Sequence, residues 1–135
     1  MERSRLISRY LIDTYALYWH LTEPSKLSDA VQQIFEEAYR GNCTLIVSPI
    51  VLLELYAVIR KWSASVDFEA ELAHLGQEPY QIEPISVDDL RLLDRLIAIP
   101  ELHDRLINAT AVRLGILVVT KDATIRAAAV VESIW

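Results

Sequence analysis

Asp13, Glu54, Asp104 and Asp122 are the residues whose types and placement in this chain of 135 suit chemistry. Two unit charges ~4–5 Å apart repel by roughly 3–4 kcal/mol at an effective dielectric of 20. If three or four carboxylates converge, they must take up protons or hard divalent cations. Oxygen-only donors favour Mg²⁺ or Mn²⁺ over Zn²⁺. A cation held that way positions water, lowers its pKa and stabilises charge on a phosphodiester. Whether these acids converge depends on the elements that carry them.

Residues 10–12 form a short apolar run that ends at Asp13 and suits a buried strand. A short helix over 14–21 is broken at Glu23-Pro24-Ser25. Leu27, Val31, Ile34, Phe35, Ala38 and Tyr39 recur at helical spacing, and Gly41-Asn42 marks the exit. Residues 43–47 read as a continuous apolar strand. Ser48 and Pro49 then supply an N-cap and a first-turn proline for a helix reaching about Lys61. A further helix is expected over 63–75, and a strand over 80–85 that Pro84 confines to an edge. Ser86 starts a helix with Val87, Leu90, Leu93, Leu96 and Ile97 on one face. Residues 103–114 are helical and closed by Gly115. Then come a buried strand over 116–119, a short helix and a last strand over 130–135. Continuous apolar strands joined by helical crossovers predict an α/β fold, with a mostly parallel central sheet flanked by helices in three layers. One domain is expected over 1–135, with 1–8 as a loose lead-in.

Ligands of open parallel sheets bind beyond the carboxyl ends of the strands. Asp13 and Asp122 each follow a strand, so they are predicted at one sheet edge. The plainer reading makes each a cap of the helix after it. Glu54 lies within an otherwise apolar helix that is expected to be buried on most faces, where a carboxylate needs partners. It is either paired, with Arg60 for example, or turned to the same edge, since its helix starts just past a strand's carboxyl end. Asp104 opens a helix, where the dipole alone favours it, and Asn108 shares its face four residues on. Spacing does not bring Asp104 to the cluster. Its helix leads into the 116–119 strand, so its start falls at the far end unless the turn and tilt return it. Thr120 projects with Asp122 on an extended chain. Lys121, Arg105 and Arg126 adjoin the acids, either as solvated charge or to steer a nucleic-acid backbone.

Composition narrows the rest. The net charge of −6 excludes holding nucleic acid by bulk attraction to phosphate. A single cysteine, Cys43, forms no internal disulfide or Cys-based zinc site and fits a reducing compartment. Three glycines exclude the dinucleotide fingerprint and the P-loop. His20, His74 and His103 are scattered without ligand spacing, and no Gly-x-Ser-x-Gly elbow occurs. Tyr at position 15 rules out the Asp-x-Asp of haloacid-type phosphatases. Tyr15, Tyr18 and Trp19 follow Asp13 and serve either packing or base stacking. The apolar stretch 46–59 is interrupted by Ser48, Pro49 and Glu54 and is too short to span a bilayer. Arg3, Arg5 and Arg9 are not followed by a signal-type apolar region. A soluble, cytoplasmic protein is expected.

Four segments carry a resemblance. They are Tyr-Leu-Ile-Asp-Thr at 10–14, Ser-Pro-Ile-Val-Leu-Leu-Glu-Leu at 48–55, Ile-Pro-Glu-Leu-His-Asp-Arg-Leu-Ile-Asn-Ala-Thr-Ala at 99–111 and Val-Thr-Lys-Asp at 119–122, with Val-Glu-Ser-Ile-Trp closing the chain. In order and spacing the sequence resembles PIN-domain ribonucleases, most closely the VapC-like toxins of toxin–antitoxin pairs. The resemblance implies a PIN-like fold that brings Asp104 to the site. It makes Asp13, Glu54, Asp104 and Asp122 an acidic quartet and places Thr120 and Asn108 beside it. It further implies Mg²⁺- or Mn²⁺-dependent cleavage of RNA, a homodimer and a cognate antitoxin. Residues 1–8 are longer than the usual start. The rival readings are a non-catalytic RNA- or protein-binding module and a structure-specific DNase.

Overall fold

A computed structural model describes residues 7–135. Five strands form one sheet: β1 (Ser8–Ile12), β2 (Cys43–Val47), β3 (Tyr80–Ile82), β4 (Leu117–Val119) and β5 (Ser133–Ile134), in the order β3-β2-β1-β4-β5. Every neighbouring pair is parallel. The connecting helices are α1 (Thr14–Thr22), α2 (Asp29–Tyr39), α3 (Pro49–Trp62), α4 (Phe68–Leu75), α5 (Val87–Arg91), α6 (Leu102–Leu114) and α7 (Ala123–Ala128). The result is the three-layer α/β architecture expected. Among the described residues, no helix is long and apolar enough to cross a membrane.

Strands covered on both faces are apolar without alternation. Leu11, Ile12, Leu45, Ile46, Val47, Val118 and Val119 are all fully buried. Val31, Ile34, Phe35 and Ala38 of α2 and Val51, Leu55 and Ile59 of α3 complete the core. The strand order reverses at β1, which pairs with β2 on one side and β4 on the other. That junction is the topological switch point where such sheets bind ligands. The Asp13 N–H donates to the Val119 carbonyl (3.1 Å), so the ends of β1 and β4 stay together there.

Several boundaries differ from the sequence expectation. β1 begins at Ser8, because the ladder to β2 pairs Ser8 with Cys43 and Arg9 with Thr44 whatever their side chains. Residues 1–6 of the expected lead-in lie outside the described residues. The helix expected over 63–75 is confined to α4, which Asp67 caps by accepting from the Glu69 and Ala70 N–H groups. The last strand shrinks to two residues on the sheet edge.

The segment after Ser86 departs furthest. Its helix stops at Arg91, and a 3-10 turn follows at Leu93–Leu96. Val87, Leu90 and Ile97 are exposed, and fully buried Asp89 faces inward instead. Asp89 and Ser86 form a reciprocal capping box. The Asp89 carboxylate also accepts from Thr110 (3.0 Å) and from the Arg113 guanidinium of α6, which in turn pairs with Glu83 (3.1 Å). Burial pushes the Asp89 carboxyl up, but Arg113, the Ser86 N–H and Thr110 outweigh it, so its pKa lies below the usual range. This ion pair sets the rotation of α5, and a hydrophobic-period argument cannot see it.

Candidate active site

Asp13 ends β1 and caps α1, accepting from the Ala16 N–H (2.9 Å). Asp122 follows β4 and caps α7, accepting from the Thr124 (2.8 Å) and Ile125 (3.1 Å) N–H groups. The cap reading and the edge reading therefore both hold for these two residues. Capping fixes each carboxylate at a strand's carboxyl end, with one oxygen committed to backbone.

Asp104 reaches the same edge. Gly115 adopts the left-handed conformation (φ 67°) at the end of α6, and the chain reverses into β4. α6 thus runs back along the sheet. Its start lies at the carboxyl edge, which corrects the far-end placement that spacing suggested. Glu101 caps α6 and accepts from the Asp104 N–H (3.2 Å).

Glu54 comes from α3. Among the described residues it pairs with neither Arg60 nor any other arginine: Thr14 donates to its Oε1 (2.5 Å), and His103 Nδ1 lies 3.3 Å from its Oε2. The helix carrying it is not buried all round. Leu53, Tyr56 and Trp62 are exposed on it, and Glu54 sits at the margin of the covered face.

An open cleft of ≈ 630 Å³ is lined by Asp13, Glu54, Asp104 and Asp122, together with Thr14, Asn108, Glu101 and Lys121. All four candidate carboxylates therefore line one cleft, while among the described residues the acidic and histidine groups with ligand atoms within 4.8 Å of one another are Glu54, Glu101 and His103. Burial, reinforced by Asp122 and Glu54, lifts the Asp13 carboxyl from 3.8 to about 6, although the Thr120 hydroxyl and the Ala16 N–H pull the other way. Asp104 is raised to about 6 by burial and then by Glu101, Glu54, Asp122 and Asp13. These mutual shifts mean that the cleft disfavours its own full ionisation.

The donor set fits a hard divalent cation. Its oxygens come from carboxylates, and Asn108, 1% exposed, adds an amide oxygen with no hydrogen-bond partner among the described residues. The Asn108 amide nitrogen donates to the Asp104 carbonyl (2.7 Å), which orients the group. Thr120 is fully buried, and its hydroxyl accepts from the Asp122 N–H (3.0 Å).

The basic candidates part ways. Lys121 lines the cleft. Arg105 donates to the Ile99 (2.8 Å) and Pro100 (3.2 Å) carbonyls and so holds the turn into α6. Arg126 is exposed and does not line the cleft. Sequence reasoning passed over Glu101 and gave His103 little weight. With Glu54, these two place one potential ligand atom each within 4.8 Å of one another. The only sequence signal was their adjacency to Asp104, because the approach of α3 to α6 brings Glu54 to them.

The family model of the PIN domain matches residues 10–131. No curated protein matches the sequence. Among solved structures, the chain is similar to VapBC2 from Rickettsia felis bound to a promoter DNA fragment (TM-score 0.73, 18% identity, covering 93% of this chain and 97% of that one). It is also similar to DNA-bound VapBC from Salmonella typhimurium (TM-score 0.71, 13% identity, 95% and 98% covered). FitAcB from Neisseria gonorrhoeae matches with a TM-score of 0.70 at 17% identity, covering 93% and 96%. At these identities the likeness is one of fold.

Proposed function

Because the chain belongs to the PIN-domain family, we propose that it is a divalent-metal-dependent endoribonuclease and the toxin of a toxin–antitoxin pair. The observation that carries this reading is the meeting of Asp13, Glu54, Asp104 and Asp122 around one cleft beside the unpartnered Asn108 oxygen. Asp13 and Asp104 are the main ligands of Mg²⁺ or Mn²⁺ in this reading. Glu54 and Asp122 complete the site directly or through water. The bound cation supplies Lewis acidity at a phosphate oxygen and a water of lowered pKa.

The protein's own groups supply the rest. Caps on α1 and α7 hold Asp13 and Asp122 rigidly, and Thr14 fixes one oxygen of Glu54. Glu54 keeps its second oxygen toward His103 and the cleft, where it can orient an attacking water. Lys121 adds positive charge at the rim of an otherwise acidic cleft. The antitoxin assignment is supported by the likeness to a toxin–antitoxin complex from Klebsiella pneumoniae (TM-score 0.65, 19% identity, covering 93% of this chain and 96% of that one) and by apolar side chains left open on α3.

Matched single-stranded RNA and DNA substrates, incubated with Mn²⁺ or with EDTA, test the proposal. Cleavage of RNA in Mn²⁺, its loss in EDTA and at least a hundredfold loss in Asp13→Asn are expected. Equal cleavage of DNA identifies a DNase instead. Stoichiometric RNA binding without turnover identifies a binding module. Undiminished cleavage by Asp13→Asn overturns the site assignment.

A further inference from the structure

Beside the carboxylates, the cleft carries an aromatic wall that catalysis as described above does not use. Tyr15 and Trp19 of α1 both line it, two and six residues after Asp13. The three aromatic residues that follow Asp13 have different surroundings. Tyr18 is core: its ring is buried and its hydroxyl bonds to Ser63 (2.6 Å). Trp19 is held on several sides. Trp135 meets it edge-on at 5.9 Å, and the ammonium groups of Lys26 and Lys121 lie 5.7 and 5.5 Å from its ring centroid. Tyr15 is different. It packs edge-to-face on Tyr18 (6.5 Å, 85°) and at a tilt on Trp19 (5.6 Å), yet remains 49% exposed.

An aromatic ring braced from behind and half open at a phosphodiester-cleaving cleft has the properties of a base-stacking platform. The bracing matters because a ring already fixed by Tyr18 and Trp19 loses little freedom when a base lies on it. Lys121 strengthens the case. Its ammonium is drawn over Trp19 by the cation–π attraction, and among the described residues it forms no ion pair. In a chain of net charge −6, a cation kept free of carboxylates at the mouth of an acidic cleft is placed to meet a phosphate.

We propose that Tyr15 stacks an unpaired nucleobase next to the scissile phosphate while Lys121 meets the adjoining phosphate. The proposal rests on the nuclease reading for the location of the scissile bond. A base inside a duplex has no free face for Tyr15, so the contact requires an unpaired base. Trp19 acts as the positioning residue for both groups.

Binding of a fluorescent single-stranded oligocytidine decamer, measured by anisotropy in EDTA at low salt, tests this against a decamer of the same backbone without bases. Wild type is expected to prefer the base-bearing decamer. Tyr15→Ala should weaken that binding by about 5- to 100-fold, Tyr15→Phe should retain it, and neither should change binding of the abasic decamer. Affinity for the base-bearing decamer within twofold of wild type in Tyr15→Ala overturns the proposal. So does equal weakening toward both decamers, or no binding of the base-bearing decamer by wild type at millimolar protein. Cleavage in Mn²⁺ is scored separately with wild type. RNA cleavage with an indifferent Tyr15 retires the stacking inference alone, whereas base-dependent binding without cleavage retires the nuclease reading and leaves Tyr15 as a base-stacking contact with no scissile bond beside it.

Discussion

Asp13 serves the fold as a helix cap and, in the proposed function, the chemistry as a ligand, and the two roles pull stability in opposite directions. Its carboxyl is raised to about 6, so between about pH 4 and pH 6 the folded chain holds a proton that the unfolded chain has released. Stability of the metal-free protein therefore falls as pH climbs through that window and levels off above it. Asparagine caps a helix about as well as aspartate but carries no charge. Asp13→Asn is expected to stabilise the metal-free protein near neutral pH by about 2–3 kcal/mol, with the gain gone by about pH 4; urea melts at the two pH values check this. An unchanged or lower stability near neutral pH contradicts the strained-cluster account. At this scale the sequence was informative about Asp13 and Asp122, because a strand end followed by a helix start constrains both position and role. It left two readings open for Glu54, an arginine pair or the shared edge, because its partners Thr14 and His103 lie 40 and 49 residues away in sequence. Contacts of that range depend on how α1, α3 and α6 approach, which no local pattern records.

Element geometry decides whether Asp104 reaches the cleft at all. The reversal at Gly115 accomplishes it, and a methyl group there meets no atom within 4 Å, so the obstacle to alanine is the positive φ alone. Gly115→Ala is expected to destabilise by about 1 kcal/mol, while cleavage below the melting transition stays within a few-fold of wild type; a loss of several kcal/mol would mean that the turn does more than reverse the chain. Asp89 is the opposite case. Asp89→Ala leaves Arg113 without its buried partner and is expected to cost about 3–5 kcal/mol, read from thermal or urea unfolding. A cost below 1 kcal/mol contradicts its role in locking α5 to α6. Apolar runs and caps made the α/β alternation legible from residues alone, including the limits of β2 and the Ser48-Pro49 start of α3. The rotation of α5 was not legible, because one buried ion pair overrides the apolar period of Val87, Leu90 and Ile97.

At the scale of the whole molecule, the apolar excess of the sequence is only partly accounted for by the core. Leu53, Tyr56 and Trp62 of α3 remain open, as do Val87, Leu90, Ile97 and Leu102 around α5 and the start of α6. Exposed apolar side chains that gather into one contiguous patch mark a surface that a partner covers. Light scattering at micromolar concentration is expected to give twice the chain mass, and Val87→Glu/Ile97→Glu to return it to the monomer. A monomeric wild type contradicts the homodimer expectation. The strand order explains how four distant acids come to one place: β1 and β4 meet at the switch point, and the helices flanking it start or end there.

Mn²⁺ titration by calorimetry, wild type against Asp13→Asn/Asp104→Asn, tests most directly whether that place is one cation site. The account predicts saturable binding by wild type that tightens as pH rises through about 6, where bound protons no longer compete. It predicts no binding by the double variant. Equal binding by both proteins, with the variant folded, would contradict it.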